Sequence, residues 1–327
     1  MKAFFNLIRW PNLLTIVLTM VLMRYAVIEP VLSKTNITLY TLAGNADHMT
    51  LQLPWYDFVI LVIAIVCIAA GGYVINDYFD IRTDLINRGK VIVGTKIPRK
   101  QAIMWHNAFN LAGVAAGIYV SWKIGYFLIG ILFLLVSGLL YFYSATYKRQ
   151  FLIGNIVVAV LTAMVPLLVP IFEVPALSQY YAVNAVSTPD LSKIYYWVGG
   201  FAVFIFLTTL TREIIKDIED FEGDVAYGRN SIPVVIGILA SKIVAISLSL
   251  ITIAMLYLIW YFFHHDLITL LYFSAAVTLP LLLVIIHLTT GKSPKQLRGA
   301  SSIMQIAMLT GILYSVVVKI IITSNLF

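Results

Sequence analysis

Two acidic clusters with the same internal spacing are the residues of this chain best suited to chemistry. The first covers residues 76–84 and the second covers residues 212–224. Each contains the pattern Asp-x-x-Asp-x-x-x-Asp, and the six residues concerned are Asp77, Asp80, Asp84, Asp217, Asp220 and Asp224. Positions i, i+3 and i+7 of a helix share one face, so each pattern predicts a helical stripe of three carboxylates.

Such stripes are electrostatically unfavourable unless they bind something positive. Two like charges 4 Å apart repel by roughly 4 kcal/mol at an effective dielectric of 20. Both clusters also follow the C-terminal end of an apolar segment, where the helix dipole disfavours negative charge. A single cluster would be interpreted as a solvated loop. Two clusters of identical spacing predict a cation between them.

The ligand types favour magnesium as that cation. Zinc would require His or Cys ligands, but the five histidines are scattered and Cys67 is the sole cysteine. Calcium would require an oxygen-rich loop such as an EF-hand, and the sequence has none. Magnesium is normally held by one or two carboxylates together with waters and substrate phosphates. With basic residues beside both clusters, the sequence predicts a lipid diphosphate bridged by Mg²⁺, and Asn76 would add a neutral oxygen ligand.

The elements that carry the clusters must be membrane-spanning helices. Of 327 residues, 61% are apolar and 11% are charged, and the mean hydropathy is +0.94, whereas soluble domains carry about 25% charged residues. This composition excludes a soluble enzyme, a disordered chain and a secreted disulfide scaffold. A spanning helix needs about 20 apolar residues, and nine stretches are long enough: about 12–32, 56–76, 101–121, 125–145, 152–172, 194–212, 238–262, 267–288 and 300–323. We therefore predict an all-α integral membrane protein of about nine transmembrane helices, with a single domain over residues 1–327.

The positions of lysine and arginine predict how this bundle is oriented. With nine spans, 17 of the 22 basic residues fall on the side of the N-terminus, which is also the side of both acidic clusters. Cytoplasmic loops carry such an excess. We therefore expect a multi-pass protein of the cell (inner) membrane whose N-terminus and acidic clusters are cytoplasmic. The net charge of +7 then reflects topology, and no nucleic-acid partner is predicted.

These residues resemble the motifs of the UbiA family of intramembrane prenyltransferases. Residues 76–84 match the family motif Asn-Asp-x-x-Asp-x-x-x-Asp, and residues 217–224 match its second motif. The stretch Arg9-Trp-Pro-Asn12 looks like the family's opening Arg-x-x-Asn, and residues 143–155 contain a Tyr/Lys loop and a Gly-Asn pair. The resemblance implies a UbiA-like bundle with a cytoplasmic active site. It also implies transfer of a prenyl group from an isoprenoid diphosphate to a lipophilic acceptor, with release of diphosphate.

The resemblance further implies roles for individual residues. The six motif aspartates would hold two Mg²⁺ ions bridged by the substrate diphosphate. The expected substrate-binding residues are Asn12, Asn76, Arg82, Tyr143, Tyr147, Lys148, Asn155, Arg212 and Lys216. The candidate diphosphate ligands are Arg82, Lys148, Arg149, Arg212 and Lys216, and among them we favour Lys148 and Arg212. Tyr73, Tyr143 and Tyr147 are candidates to face a developing allylic cation.

The loops after the two motifs favour one acceptor class. Residues 212–224 and 228–233 look most like the branch of the family that geranylgeranylates geranylgeranylglyceryl phosphate. Enzymes for quinone precursors often carry Arg-Pro-Leu after the first motif, and residues 87–100 lack it. An aromatic acid such as 4-hydroxybenzoate is the alternative acceptor. A divalent-cation transporter is a more distant alternative, because its acidic residues would be expected near the middle of the spans.

Overall fold

Helices make up nearly all of the described chain. The computed structural model describes residues 1–38, 46–89, 91–186, 189–291 and 297–324. The α-helices in chain order are α1 (Lys2–Leu7), α2 (Trp10–Leu22), α3 (Glu29–Ser33), α4 (Trp55–Phe79), α5 (Ile81–Arg88), α6 (Arg99–Lys123), α7 (Gly130–Ala145), α8 (Ile153–Asn184), α9 (Ser192–Glu219), α10 (Phe221–Ala226), α11 (Ile232–Ile236), α12 (Ile238–Ile259), α13 (Leu267–Tyr272), α14 (Leu279–Thr290) and α15 (Arg298–Thr323).

Several short elements connect or extend these helices. Segments of π-helix join α2 to α3 (Met23–Ile28) and α13 to α14 (Phe273–Thr278), and a third extends α12 (Trp260–His264). Single 3₁₀ turns precede α7 (Phe127–Ile129) and α8 (Tyr147–Arg149). Two three-residue strands, β1 (Asn36–Thr38) and β2 (Ala46–His48), pair antiparallel in the loop after α3. The predicted all-α architecture is confirmed, with this small hairpin as its one addition among the described residues.

Eight helical segments of the described chain are long and apolar enough to cross a membrane. They are Trp10–Ser33, Trp55–Phe79, Phe127–Arg149, Ile153–Asn184, Ser192–Glu219, Ile238–His264, Leu267–Thr290 and Arg298–Thr323. Each covers most of one predicted span. The predicted span at 101–121 is also helical, as part of the 25-residue helix α6, but it is not among the eight. The chain is therefore an integral multi-pass membrane protein, and its ninth span stays a prediction.

Six of the long helices form a closed ring. Helix α2 packs against α4, and the contacts continue through α7, α8, α9 and α15 back to α2. Helix α6 packs on the outside of α4 and α7, and α12 and α14 pack outside α9 and α15. The α4–α6 approach requires Gly113, where a Cβ would lie 2.8 Å from the carbonyl oxygen of Ala64. Small residues commonly permit such close helix contacts in membranes.

A buried ion pair lies at the end of this ring that is away from the acidic motifs. Arg24 Nε lies 3.4 Å from Glu173 Oε2, and the two side chains are 2% and 0% exposed. Glu173 also accepts hydrogen bonds from the backbone N–H groups of Gln52 (2.7 Å) and Leu53 (2.9 Å). These contacts tie α2, α8 and the loop before α4 together at that end of the ring.

Candidate active site

Both acidic motifs are interrupted at their second aspartate. Helix α4 ends at Phe79 and α5 begins at Ile81, while α9 ends at Glu219 and α10 begins at Phe221. Asp80 has φ −90° and ψ 2°, and Asp220 has φ −90° and ψ 7°. The prediction of one continuous helical stripe per motif is therefore wrong. In each motif the first aspartate lies in the last turn of a long helix, the second lies at the break, and the third lies on a short helix.

The first aspartate of motif one is paired with the N-terminal segment. Arg9 Nη2 donates a 2.8 Å hydrogen bond to Asp77 Oδ1, and the Arg9 guanidinium lies 5.1 Å from the centre of the Tyr73 ring. Arg9 directly precedes α2 and has a left-handed backbone, with φ 51° and ψ 53°. This conformation is uncommon for a residue with a side chain. The turn therefore directs the cation of Arg9 towards motif one.

Asp80 is buried between two cations from distant parts of the chain. Its Oδ2 atom accepts a hydrogen bond from Lys148 Nζ, and its Oδ1 atom accepts a 2.7 Å hydrogen bond from Arg229 Nη2. Lys148 Nζ also lies 3.4 Å from Asn76 Oδ1, and Arg229 Nη2 donates a 2.9 Å bond to Thr83 Oγ1. Burial opposes ionisation of Asp80, but the charges of Lys148 and Arg229 outweigh it and hold the pKa of Asp80 at about 2.

The second motif is supported by α8 and by the same arginine. Asn155 Nδ2 donates a 2.8 Å hydrogen bond to Asp217 Oδ2. Arg229 Nη1 lies 3.6 Å from Asp224 Oδ1, and burial raises the pKa of Asp224 above its usual range. Because Arg229 also binds Asp80, this one side chain links the two motifs.

A cavity of about 500 Å³ opens beside these residues and runs down the inside of the helix ring. Nine of the fifteen predicted site residues line it: Asn12, Asn76, Tyr143, Lys148, Asn155, Arg212, Lys216, Asp217 and Asp220. Its walls away from the motifs are mostly aliphatic, with residues such as Ile65, Val136, Leu168 and Ile205. The cavity therefore has a charged rim at the motif end and an apolar interior.

The other six predicted residues do not line the cavity, and they fall into two groups. Asp77, Asp80 and Asp224 lie directly behind the rim and hold basic partners there. Asp84 is half-buried on α5, Tyr147 is half-buried with its ring 6.5 Å from that of Phe142, and Arg82 is exposed. Of the candidate diphosphate ligands, Lys148, Arg212 and Lys216 line the cavity, and Arg82 and Arg149 do not.

Three charged residues of the site were not among the predicted ones. Arg9 and Glu213 line the cavity, and Arg229 bridges the motifs. Glu213 accepts bonds of 2.9 and 3.0 Å from Lys216 Nζ and lies 3.3 Å from Arg212 Nη1. The available signals were the resemblance of residues 9–12 to the family's opening motif, the position of Glu213 four residues before Asp217, and the position of Arg229 five residues after Asp224.

The rim offers oxygen ligands of the kind that magnesium prefers. Asn76, Glu213, Asp217 and Asp220 line the cavity, and no His or Cys side chain does so within the described parts of the chain. Among those same residues, no three His, Cys, Asp or Glu side chains converge closely enough to hold a metal by themselves. This arrangement fits Mg²⁺, which takes one or two carboxylates and completes its shell with water and phosphate oxygens.

Comparison with known proteins identifies relatives of this chain and of its fold. The UbiA prenyltransferase family matches residues 38–309. Digeranylgeranylglyceryl phosphate synthase of Thermococcus kodakarensis is 35% identical over 188 residues, which are 57% of this chain and 59% of that protein. The aligned part is thus under two thirds of that relative's length.

Two solved structures share the architecture. A structure of digeranylgeranylglyceryl phosphate synthase superimposes with a TM-score of 0.62 at 20% identity, over 96% of this chain and 98% of the other. A UbiA homolog from Archaeoglobus fulgidus bound to GPP and Mg²⁺ gives a TM-score of 0.52 at 16% identity, over 96% and 99% of the two chains. These likenesses establish the common fold.

Proposed function

The chain belongs to the UbiA prenyltransferase family, so it is a membrane-embedded prenyltransferase, and from that premise we propose that it transfers a geranylgeranyl group to geranylgeranylglyceryl phosphate. The observation that carries the proposal is the two-part character of the cavity. Lys148 and Asp220 lie at its rim, whereas its interior is lined by side chains such as Leu168. A donor with a diphosphate head and a hydrocarbon tail matches both parts, and it would bind within one membrane domain.

The basic residues of the rim are suited to bind the donor diphosphate. Arg9, Lys148, Arg212 and Lys216 all line the cavity. Each is also paired with a carboxylate or amide oxygen, which fixes the position of its charge. Fixed charges placed where a leaving group becomes negative stabilise bond breaking without further reorganisation. We assign the principal diphosphate contacts to Lys148 and Arg212.

The family's use of magnesium supports a metal-dependent reaction at this rim. A homolog of this fold has been solved with GPP and Mg²⁺. Mg²⁺ at the rim would be held by the cavity-lining Asp217 and Asp220, with Asn76 assisting, and would supply positive charge that stabilises the departing diphosphate. Tyr73 and Tyr143 line the cavity, and their aromatic rings would face the carbon that loses the diphosphate.

The acceptor is proposed from the relatives and from the loop after motif one. The similar protein of Thermococcus kodakarensis is a digeranylgeranylglyceryl phosphate synthase. Residues 87–100 lack the Arg-Pro-Leu sequence common in quinone-precursor enzymes. The acceptor attacks through a hydroxyl group, its oxygen bonds to the prenyl carbon, the carbon–oxygen bond to diphosphate breaks, and the hydroxyl proton is released.

We propose that the rim faces the cytoplasm, in keeping with the excess of basic residues at that end. Cys67 is the sole cysteine, so a Cys67→Ser background permits labelling tests at single introduced cysteines. Arg82 lies on α5, at the end of the bundle that carries the motifs. Lys123 is the last residue of α6, at the opposite end, and both side chains are exposed. In intact cells, an impermeant maleimide should label Lys123→Cys and spare Arg82→Cys. The reverse pattern would contradict the orientation.

An acceptor screen tests the function. The purified chain would receive labelled geranylgeranyl diphosphate with geranylgeranylglyceryl phosphate, 4-hydroxybenzoate or 1,4-dihydroxy-2-naphthoate in separate reactions. Product with the first acceptor is expected. Product formation with an aromatic acid alone would show that the aromatic acid is the acceptor. If no product forms with any of the three compounds and the chain carries Mg²⁺ into vesicles, the result would favour a transporter.

A further inference from the structure

We propose that Phe133 determines the length of the prenyl donor, and that the missing side chain at Gly117 determines where Phe133 lies. This inference rests on the proposed function, because it concerns the hydrocarbon part of the donor. Phe133 is a specificity residue and takes no part in breaking the bond to diphosphate.

The position of Phe133 within the cavity is the first observation. Along α8 the lining residues extend from Gly154 to Leu168, a depth of about 21 Å at 1.5 Å per helical residue. Phe133 precedes Tyr143 on α7 by ten residues, about 15 Å along the helix. Of the three aromatic residues that line the cavity in the described chain, Tyr73 and Tyr143 lie near the rim and Phe133 lies at the deep end.

The second observation is that the Phe133 ring is held from behind. Phe133 is 3% exposed. Its ring packs directly on the backbone of Gly117 in α6, where a Cβ would come within 2.6 Å of Cδ1 and overlap Cγ and Cδ2. The Phe172 ring lies 5.9 Å away on the α8 side. Phe133 is therefore held by residues of α6 and α8 and also lines the cavity.

The phenyl ring of Phe133 therefore forms the deep end of the cavity, and substitutions at positions 133 and 117 should change the length of the cavity. A prenyl chain enters with its diphosphate at the rim, so its last isoprene unit reaches the deepest residues. Removing the Phe133 ring would open space for a longer chain. Adding a methyl group at position 117 would displace the ring towards the cavity, because the α6 side is occupied by backbone, and would shorten the space.

The experiment compares donors on the full-length chain in lipid nanodiscs. Diphosphates of three, four and five isoprene units are offered with the acceptor that the wild type uses, and kcat/KM is measured for each. For Phe133→Ala, the ratio of the five-unit to the four-unit value should rise about tenfold or more, since small changes in an apolar pocket commonly change selectivity by 10- to 200-fold. For Gly117→Ala, the ratio of the three-unit to the four-unit value should rise instead.

A matched pair of residues outside the cavity provides the control. Phe204 of α9 packs on Gly311 of α15 in the same way, since a Cβ at Gly311 would overlap Cε1 and Cζ of the ring. Neither residue lines the cavity. Phe204→Ala and Gly311→Ala therefore carry similar packing costs and should leave both donor ratios unchanged.

The outcomes separate this inference from the function on which it rests. A wild type that transfers none of the three donors would refute the proposed function. A wild type that transfers them, with unchanged ratios in folded Phe133→Ala, would refute the role of Phe133 alone. Equal shifts in the control pair would also refute it. If Gly117→Ala fails to fold, the ratio for Phe133→Ala decides the matter.

Discussion

Arg229 donates a 2.7 Å hydrogen bond to Asp80, although 149 residues separate the two in the chain. Their side chains are 9% and 4% exposed. Arg229 also lies 3.6 Å from Asp224, so its guanidinium fixes the break in the first motif relative to the short helix of the second. Burying charges is costly, and removing one partner leaves an uncompensated buried charge. Arg229 is therefore a positioning residue for both motifs.

This pairing predicts a measurable coupling. Arg229→Gln should lower the free energy of unfolding by about 3 kcal/mol, the lower end of the range for broken buried ion pairs, because Lys148 still neutralises part of the Asp80 charge. In an Asp80→Asn background, the loss of unfolding free energy caused by Arg229→Gln should be smaller by at least about 1 kcal/mol. Denaturant unfolding of the four proteins in detergent measures the cycle. Strictly additive free energies would contradict the bridge.

Lys148 and its neighbour Arg149 provide a direct comparison of two adjacent cations. Lys148 lines the cavity and bonds Asp80, whereas Arg149 is exposed and does not line it. Lys148→Met should lower kcat/KM for the donor diphosphate by about 10²-fold, the usual cost of removing one group that stabilises developing charge. Arg149→Met should stay within about twofold of wild type. Steady-state kinetics on membranes test this, and equal losses would contradict the assignment.

Asp220 and Glu222 allow the same test within the second motif. Asp220 lies at the helix break and lines the cavity, whereas Glu222 two residues later is exposed. Asp220→Ala should reduce prenyl transfer by about 10²-fold or more, while the protein still inserts into the membrane. Glu222→Ala should keep near-normal activity. The measurement is product formation per inserted protein, and near-normal turnover by Asp220→Ala would refute the metal-binding role of this motif.

Removing divalent cations should abolish transfer. The rim residues are oxygen ligands that need phosphate and water oxygens to complete a magnesium shell. EDTA is therefore expected to stop product formation, and added Mg²⁺ or Mn²⁺ should restore it. Radiolabelled product is counted before and after the cation is returned. Turnover that persists after exhaustive chelation would count against the proposed chemistry.

Much of the fold could be predicted because membrane helices have few alternatives. A span must satisfy its backbone hydrogen bonds internally, so apolar length alone placed helices such as α4 and α12. The closed ring and the position of α6 outside it could not be predicted, since they depend on close contacts such as Gly113 against Ala64. A glycine in the sequence does not identify its neighbour.

The site was predictable where its residues share a motif and unpredictable where folding alone joins them. The spacing of Asp217 and Asp220 indicated a pair of cavity carboxylates. The helix breaks at Asp80 and Asp220 could not be predicted, because the helical spacing of the aspartates in the sequence continues through both positions. Arg229 could not be predicted because it lies in a loop where a basic residue is expected as a topology signal, and only its folded contacts with Asp80 and Asp224 distinguish it.

The most direct test of the central claim is a competition between acceptors for one donor. Geranylgeranylglyceryl phosphate and 4-hydroxybenzoate are mixed at equal concentration with limiting labelled geranylgeranyl diphosphate, Mg²⁺ and the full-length chain, and the two products are separated and counted. Their ratio gives the ratio of the two kcat/KM values. We expect digeranylgeranylglyceryl phosphate to exceed the aromatic product by about 10²-fold or more. The ratio of kcat/KM values reports how differently the site binds the two transition states, and these acceptors are chemically unlike. An excess of the aromatic product would contradict the proposed function.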